Sequence, residues 1–387
     1  MTGQYEFHLT TRIIYSTNSS TKIGEIASGF GKKKYQFITD TGVAGAGVLD
    51  CLLEPLKSAG IDTVLFDKVE VNPTVQTVDK ACEQYNSEGC EGVIAVGGGS
   101  PMDTGKSVGV LATNPGSASD YLGPDNWGKI KNPSVPVICV PTTAGTAAEI
   151  TDVAVLSDPE RKVKLGIFSP YIVPAVALLD PLLTISLPPE PTRDSGLDAL
   201  CHAIESYLSI NSWCASEALT LKAIELAGRH LRTAVHNGQN VEARDGMLMA
   251  SLLAGMGFRN TKLCLVHAIT GPIGGLYNCP HGAINAIVLP HAMRFMLPGA
   301  VSKYRNIAIA LGENVEDLSE RTAAERAIKA VEQLSEDIGL PKGLSVYGVK
   351  EQGLEKLSET IAGNFQNALS PRKASPKEIL DIFKAAL

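Results

Sequence analysis

The chain has 387 residues, of which 44% are hydrophobic and 19% charged, and its formal net charge is −7. This length predicts two or three domains, and the composition is that of an ordinary globular protein. The acidic balance and the lack of a basic run argue against binding to nucleic acid or to an anionic membrane surface.

The sequence also predicts where the protein works. Its first residues lack the basic start and apolar core of a signal peptide. The apolar run at residues 171–179 contains a proline and is well short of the roughly 18 residues that a membrane span needs. The eight cysteines form no CxxC pair. We therefore expect a cytoplasmic protein with reduced thiols.

The first half of the chain alternates apolar runs with amphipathic stretches. The runs are residues 35–40, 63–66, 92–97, 135–140 and 176–180. Continuous apolar runs are typical of strands covered on both faces. The stretches at 47–59 and 74–88 have helical periodicity. This order predicts a parallel sheet with crossover helices.

A glycine-rich loop follows the third run and opens a helix, in the order Gly97, Gly98, Gly99, Ser100, Pro101, Met102, Asp103. Glycines let a backbone approach a pyrophosphate, and the free N–H groups at a helix start bind anions. We predict Ser100 as the N-cap and Pro101 as the first helical residue. An ordinary strand-to-helix turn has the same pattern, and a GxGxxG fingerprint is absent.

A second loop, residues 141–149, follows the next run and carries Thr142, Thr143 and Thr146. Its hydroxyls could line a cofactor, although a threonine-rich connector explains the loop equally well. Asp40 ends the first run, where a carboxylate can accept hydrogen bonds from ribose hydroxyls and repel a 2′-phosphate. This position favours NAD over NADP.

The pattern changes at the proline-rich residues 186–192. Helical periodicity follows at 195–210, 214–235, 241–255, 301–311, 323–338 and 376–387. We therefore predict an α/β domain over residues 1–187 and an all-helical domain over residues 188–387.

Four potential metal ligands lie in the second half, namely Asp198, His202, His267 and His281. Asp198 and His202 are four residues apart, so on a helix both point to the same side. Three imidazoles and one carboxylate suit Fe²⁺ or Zn²⁺ better than Ca²⁺ or Mg²⁺. Taken singly, Asp198 could instead cap a helix and each histidine could be a buried core group.

Four segments together resemble the iron-dependent (group III) alcohol dehydrogenases. They are GGGSPMDTGKS, PTTAGTAAEIT, GLDALCHAIESY and VHAITGPIGGLYNCPHG, joined by LPHAM at residues 289–293. The resemblance runs from about residue 34 to residue 295. It implies a Rossmann-like α/β dinucleotide-binding domain and an all-α domain, in a dehydroquinate synthase-like fold with the metal in the cleft between them.

The resemblance also implies roles for individual residues. It assigns the metal to Asp198, His202, His267 and His281, and the pyrophosphate and nearby ribose to Gly97 to Ser100 and Asp103. It places Thr142, Thr143 and Thr146 along the cofactor, Lys164 near the nicotinamide ribose, and Phe258 at the border of the substrate pocket.

Three departures from the family pattern affect these expectations. Residues 15–20 replace an FGxGA-like turn that contacts the cofactor edge. Gly271 stands where many members have a second histidine, often assigned to proton relay. Arg259 and Lys262 stand where the family mostly has small residues.

The expected activity is NAD(H)-linked hydride transfer that interconverts a small primary or secondary alcohol and its aldehyde or ketone. A different substrate class is a small anionic aldehyde, such as an ω-oxo carboxylate, sulfonate or phosphonate, paired with Arg259 and Lys262. Those two cations could equally be solvated surface charges. A dehydroquinate synthase-type lyase is a rival enzyme class, but its site needs several basic residues for a phosphate and a glutamate in place of Asp198. A catalytically silent assembly or metal-storage protein is a further alternative, against which the intact ligands and glycine loops argue. We expect a homodimer or larger homo-oligomer.

Overall fold

The computed structural model describes residues 5–387. The chain divides into two compact units. One comprises Leu9–Thr143 and Ala147–Leu187. The other comprises Pro188–Leu387, the short segment Ala144–Thr146, and the segment that ends at His8.

The first unit is an α/β unit. Its strands are β1 Arg12–Tyr15, β2 Lys34–Ile38, β3 Asp62–Phe66, β4 Gly92–Gly97, β5 Val137–Pro141, β6 Val153–Asp158, β7 Val163–Phe168 and β8 Val176–Leu179. Its helices are α1 Ile23–Ser28, α2 Thr41–Gly45, α3 Asp50–Ser58, α4 Val75–Ser87 and α5 Gly99–Leu111.

Six of these strands form one parallel sheet in the order β1-β8-β5-β4-β2-β3. Alternate residues of the central strand β4 enter two separate cores. Val93 and Ala95 join one core, and Ile94 and Val96 join the other. Because both faces are covered, the strand has no polar side, and the predicted parallel sheet is confirmed.

The hairpin of β6 and β7 is antiparallel and lies outside this sheet. It was not predicted, and neither was the four-residue strand β1. Along β6, buried residues alternate with half-buried ones, which is the pattern of a strand covered on one face only. Such an alternating strand contains no continuous apolar run, which is the pattern that predicted the other strands.

The predicted start of α5 was wrong by two residues. The helix begins at Gly99, and Gly98 is the N-cap, with extended backbone angles. Ser100 and Pro101 are therefore the second and third helical residues. Proline fits there because the N–H groups of the first helical turn have no partner within the helix.

The described residues of the second unit form helices joined by loops, with no strand among them. Its helices are α6 Pro189–Leu208, α7 Cys214–His236, α8 Val241–Thr261, α9 Leu265–Tyr277, α10 His281–Met296, α11 Val301–Ala310, α12 Glu320–Asp337, α13 Leu354–Ala362, α14 Phe365–Ala368 and α15 Pro376–Ala386. None of the helices in residues 5–387 is long and apolar enough to cross a membrane.

Helix α6 is the centre of this unit and is buried along most of its length. Close packing against α7 depends on glycine, since a Cβ at Gly196 would lie 2.2 Å from Leu231 Cδ1. Helices α9 and α10 were not predicted as separate elements because Pro272 and Pro290 lie inside them. An internal proline ordinarily ends a helix in a sequence reading.

Candidate metal centre and cofactor loops

Helix α6 presents Asp198, His202 and Glu205 from consecutive turns of one face, because residues four and seven apart lie on the same side of a helix. All three side chains are buried. Asp198 lies in the middle of α6, so the expectation that it could cap a helix is wrong.

The structure brings the other two predicted ligands to the same point. His267 is on α9, and His281 is the first residue of α10. Asp198 Oδ1 lies 3.7 Å from His202 Nε2 and 4.0 Å from both His267 Nε2 and His281 Nε2. One carboxylate oxygen is thus faced by three imidazole nitrogens.

Hydrogen bonds fix which nitrogen of two of these rings carries the proton. His202 Nδ1 lies 3.2 Å from the Gly145 carbonyl oxygen, and His267 Nδ1 lies 2.5 Å from Glu205 Oε2. Because both partners only accept, the proton is on Nδ1 in each ring. The Nε2 lone pairs of His202 and His267 therefore point towards Asp198, as metal ligation requires.

Glu205 was missed by the sequence reading. Besides the His267 ring, it accepts hydrogen bonds from the backbone N–H groups of Val266 at 2.7 Å and His267 at 3.3 Å. It is an orienting carboxylate of the kind that accompanies metal-bound histidines. The available signal was a carboxylate seven residues after Asp198 on the same helical face.

Burial and charge set the protonation of the site. Burial lowers the pKa of His202, so the ring is neutral near neutral pH. Burial pushes the pKa of Asp198 upwards, but the three histidines and an N–H donor outweigh it, and the pKa lies below its usual value. An ionised carboxylate and neutral imidazoles are the forms that bind a divalent metal.

Asn285 was also missed. It is fully buried on α10, one turn after His281. Its Nδ2 donates to Asp198 Oδ1 at 2.8 Å and lies 3.1 Å from both His267 Nε2 and His281 Nε2. Its carbonyl oxygen accepts a hydrogen bond from Thr270 Oγ1.

Cys201 lies close to this centre without joining it. Potential ligand atoms of Cys201, Glu205 and His267 lie within 4.8 Å of one another. His267 Nδ1 donates its proton to Glu205, so this nitrogen has no lone pair for an ion among the three. Burial raises the pKa of the Cys201 thiol well above its usual value, which disfavours the thiolate that a metal would need.

Four further predicted positions lie on or directly after α8 and α9. The Phe258 ring is 4.6 Å from the His202 ring, centroid to centroid. Arg259 is buried, whereas Lys262 is exposed just after α8. Burial therefore contradicts the interpretation of Arg259 as a solvated surface charge, and for Lys262 that interpretation stays a prediction. A Cβ added at Gly271 would meet nothing within 4 Å.

The first residues of the two predicted cofactor loops are neighbours in the α/β unit. They follow the adjacent parallel strands β4 and β5, and the Thr142 N–H donates to the Gly97 carbonyl at 2.9 Å. Gly97 has φ +145°, and a Cβ at Gly98 would be 3.3 Å from Thr143 Cγ2. The carboxyl ends of parallel strands are where open α/β sheets bind ligands.

Asp40 lies beside the glycine loop, since its Oδ2 would be 3.4 Å from a Cβ at Gly97. Its other oxygen accepts the Val43 N–H and caps α2. Lys164 lies on β7, where its Nζ donates to Asn72 Oδ1 at 2.7 Å. Thr146 belongs to the short segment grouped with the helical unit.

Asp103 already has partners for both carboxylate oxygens. One pairs with Lys106 Nζ at 3.1 Å, and the other accepts the Val155 N–H at 2.9 Å. These two contacts hold the loop, and the cofactor contact that the resemblance implied for Asp103 stays a prediction. Lys106 is fully buried in the structure, and no feature of the sequence indicated this.

Lys106 connects α5 to residues 148–153, which form the end of the threonine-rich loop and the start of β6. Its Nζ donates to the Ala148 carbonyl and Thr151 Oγ1, both at 3.0 Å, and to the Val153 carbonyl. In the same segment, burial raises the pKa of Glu149 to about 7.

Comparison with known proteins identifies the family of this chain. Residues 10–181 match the family described as Iron-containing alcohol dehydrogenase, and residues 192–387 match the Fe-containing alcohol dehydrogenase family, C-terminal. The chain belongs to the iron-containing alcohol dehydrogenase family. It is therefore an oxidoreductase that acts on alcohols and aldehydes.

Among members of this family, the chain is 41% identical to a 1,3-propanediol dehydrogenase of Citrobacter freundii over 374 residues, 96% of each chain. It is 35% identical to an NAD-dependent methanol dehydrogenase of Bacillus methanolicus, over 98% of this chain and 99% of the relative. A crystal structure of a 1,3-propanediol oxidoreductase superimposes with a TM-score of 0.95 at 40% identity and covers 100% of both chains.

Proposed function

We propose that this iron-family member is an NAD(H)-linked dehydrogenase of small primary or secondary alcohols, with Asp198, His202, His267 and His281 as the metal ligands. The observation that carries the proposal is the convergence of three imidazole nitrogens within 4.0 Å of one carboxylate oxygen. The tautomers of His202 and His267 support it further, because their unprotonated nitrogens face that oxygen.

This donor set fits Fe²⁺, and Zn²⁺ is the second choice. Such an ion would act as a Lewis acid towards the oxygen of the alcohol or the carbonyl. The protein holds the site ready: Glu205 fixes the His267 ring, and the Gly145 carbonyl fixes the His202 ring. The Phe258 ring packs beside the His202 ring and would limit access of water from that side.

NAD is the proposed hydride carrier. The methanol dehydrogenase relative is NAD-dependent by name. In this chain, the support is the pair of adjacent loops after β4 and β5 and the Asp40 carboxylate beside Gly97. Free backbone N–H groups at the start of α5 suit a pyrophosphate, and Asp40 suits unphosphorylated ribose. The nicotinamide would take or give the hydride.

For the substrate, we propose small neutral alcohols, with 1,3-propanediol as the first to test, because the relative named for it is 41% identical. Gly271 has no side chain to carry a proton, so the alcohol proton leaves through water or a ribose hydroxyl. Installing histidine at Gly271 should then add a titration to the pH–rate profile. An unchanged profile would show that the position plays no part in proton transfer.

The deciding experiment uses metal-depleted protein reconstituted with Fe²⁺ or Zn²⁺. We expect NADH to appear in proportion to the alcohol oxidised, and the H281A variant to bind little metal and produce little NADH. Turnover without net NADH would indicate a lyase of the dehydroquinate synthase type. No binding of NADH in a fluorescence titration would indicate a catalytically silent protein.

A second candidate is the reduction of a small anionic aldehyde. It is favoured by the burial of Arg259, next in sequence to Phe258, because a guanidinium recognises carboxylate or sulfonate oxygens well. If this candidate is right, R259A lowers kcat/KM for anionic aldehydes much more than for neutral ones. An equal effect on both would remove it.

We also propose that the enzyme works in the cytoplasm as a homodimer or larger homo-oligomer, without nucleic-acid or membrane partners. All eight cysteines are free thiols, which suits a reducing compartment. Light scattering on the purified protein tests the oligomeric state.

A further inference from the structure

We propose that Asn285 is a positioning residue of the metal centre, which holds the Asp198 carboxylate in place and withdraws charge from it through one N–H···O bond. The inference deepens the proposed function and rests on its metal site. It is carried by the 2.8 Å bond from Asn285 Nδ2 to Asp198 Oδ1, the same oxygen that faces the three imidazoles.

Counting hydrogens and lone pairs identifies which contact of Asn285 is compatible with a bound ion. An amide nitrogen has two hydrogens, whereas Nδ2 faces three acceptors, Asp198 Oδ1 and the Nε2 atoms of His267 and His281. Each imidazole has one Nε2 lone pair, and a metal takes it. A carboxylate oxygen has a second lone pair, so Asp198 can accept from Asn285 and bind an ion together.

The far end of the amide is also held. The Thr270 hydroxyl donates to the Asn285 carbonyl oxygen. Thr270 lies three residues after His267 on α9, and Asn285 lies four residues after His281 on α10. One chain of polar contacts therefore joins the three helices α6, α9 and α10 that carry the ligands. With no exposed surface on Asn285 or Thr270, water cannot replace these bonds.

The physical consequence is a ligand set prepared before the ion arrives. The bond restrains the Asp198 carboxylate at the orientation in which Oδ1 faces the histidines, and losing such an outer contact typically weakens metal binding by about 10–100-fold. The bond also draws electron density from the carboxylate, so its loss should alter the electronic environment of the bound ion as well as its affinity.

The test compares metal-depleted wild type with N285L, which keeps a similar volume but has no donor. The matched control is N367L, since Asn367 is equally buried in the same unit and donates to the backbone carbonyls of Ala362 and Ala374. Co²⁺ serves as the probe. Its Kd is measured by competition with a coloured chelator, its visible absorption reports coordination, and thermal unfolding reports stability.

We expect N285L to raise the Kd for Co²⁺ by about 10–100-fold and to shift the visible bands. N367L should lower the unfolding temperature while keeping the Kd and the spectrum of wild type. Should N285L fail to fold, T270V removes only the hydroxyl that anchors the amide, and a smaller change in the same direction is expected.

A Kd and spectrum of N285L equal to those of wild type would overturn the inference and leave Asn285 as a packing residue. Failure of wild type itself to bind Co²⁺ would instead overturn the proposed metal site, and the inference with it.

Discussion

Replacing Gly282 with alanine should separate two of the helices that carry the metal ligands. Gly282 follows His281 at the start of α10. A Cβ at this position would lie 2.0 Å from the Asp194 carbonyl oxygen and 3.1 Å from Asp198 Cβ. A carbon and an oxygen that are not bonded stay about 3 Å or more apart, so the start of α10 must retreat from α6 by about 1 Å.

This displacement of α10 should have two measurable effects, one on stability and one on the metal site. Overpacking of this kind destabilises by about 1–3 kcal/mol, and backbone cannot move aside as a flexible side chain can. His281 moves with Gly282, so its Nε2 leaves the position 4.0 Å from Asp198 Oδ1. A displacement of about 1 Å in a reactive site lowers activity by about 100-fold.

Urea unfolding and metal content after dialysis measure both effects. The control is G271A, because a Cβ there meets nothing within 4 Å. Gly271 lies inside α9, where alanine should stabilise by about 0.5–1 kcal/mol. If G282A unfolded at the same urea concentration as wild type and kept its metal, the close approach of α10 to α6 would be refuted.

Three further predictions concern buried charges. The pKa of Glu149 is raised to about 7, so below about pH 4 the carboxyl is protonated in both states and causes no loss of stability. The loss grows between about pH 4.5 and 7, where only the unfolded chain is ionised, and stays constant at higher pH. Urea unfolding should show E149Q more stable than wild type at about pH 8, by up to about 3 kcal/mol, and equal to it at about pH 4. E359Q, at an exposed glutamate, should match wild type at both pH values. K106M leaves the half-buried Asp103 without its cation, which should destabilise by up to about 3 kcal/mol and weaken NADH binding in a fluorescence titration. Unchanged NADH affinity would separate Lys106 from the cofactor loops. E205Q removes the charge that orients His267 and should weaken metal binding by about 10–100-fold in chelator competition; an unchanged Kd would contradict the orienting role.

The sequence predicted what depends on local pattern. The continuous apolar runs predicted five of the six strands of the parallel sheet, because strands covered on both faces have no polar side. The spacing of Asp198 and His202 predicted their shared direction, since helical geometry alone determines it.

The missed features depend on contacts between distant segments. Glu205 and Asn285 become parts of the site only when α6, α9 and α10 pack together. Glu205 is 61 residues from its partner Val266, and Asn285 is 87 residues from its partner Asp198. In the sequence, Lys106 has the features of an ordinary helix residue. Its role depends on backbone carbonyls at residues 148–153 that it contacts only in the folded chain. The start of α5 was misplaced because Gly98, which has no side chain to cap with, is the residue that precedes the helix.

A single helix, α6, carries the proposed ligands at positions 198 and 202 and the orienting carboxylate at position 205. Inserting or deleting a single residue within that stretch would rotate the following residues about the helix axis by about 100°. The three side chains would then no longer lie on one face of the helix. We therefore expect lineages of this enzyme to tolerate length changes in their loops but never between these positions. Changes of substrate would then arise from other helices, such as α8 and α9, around an unaltered α6.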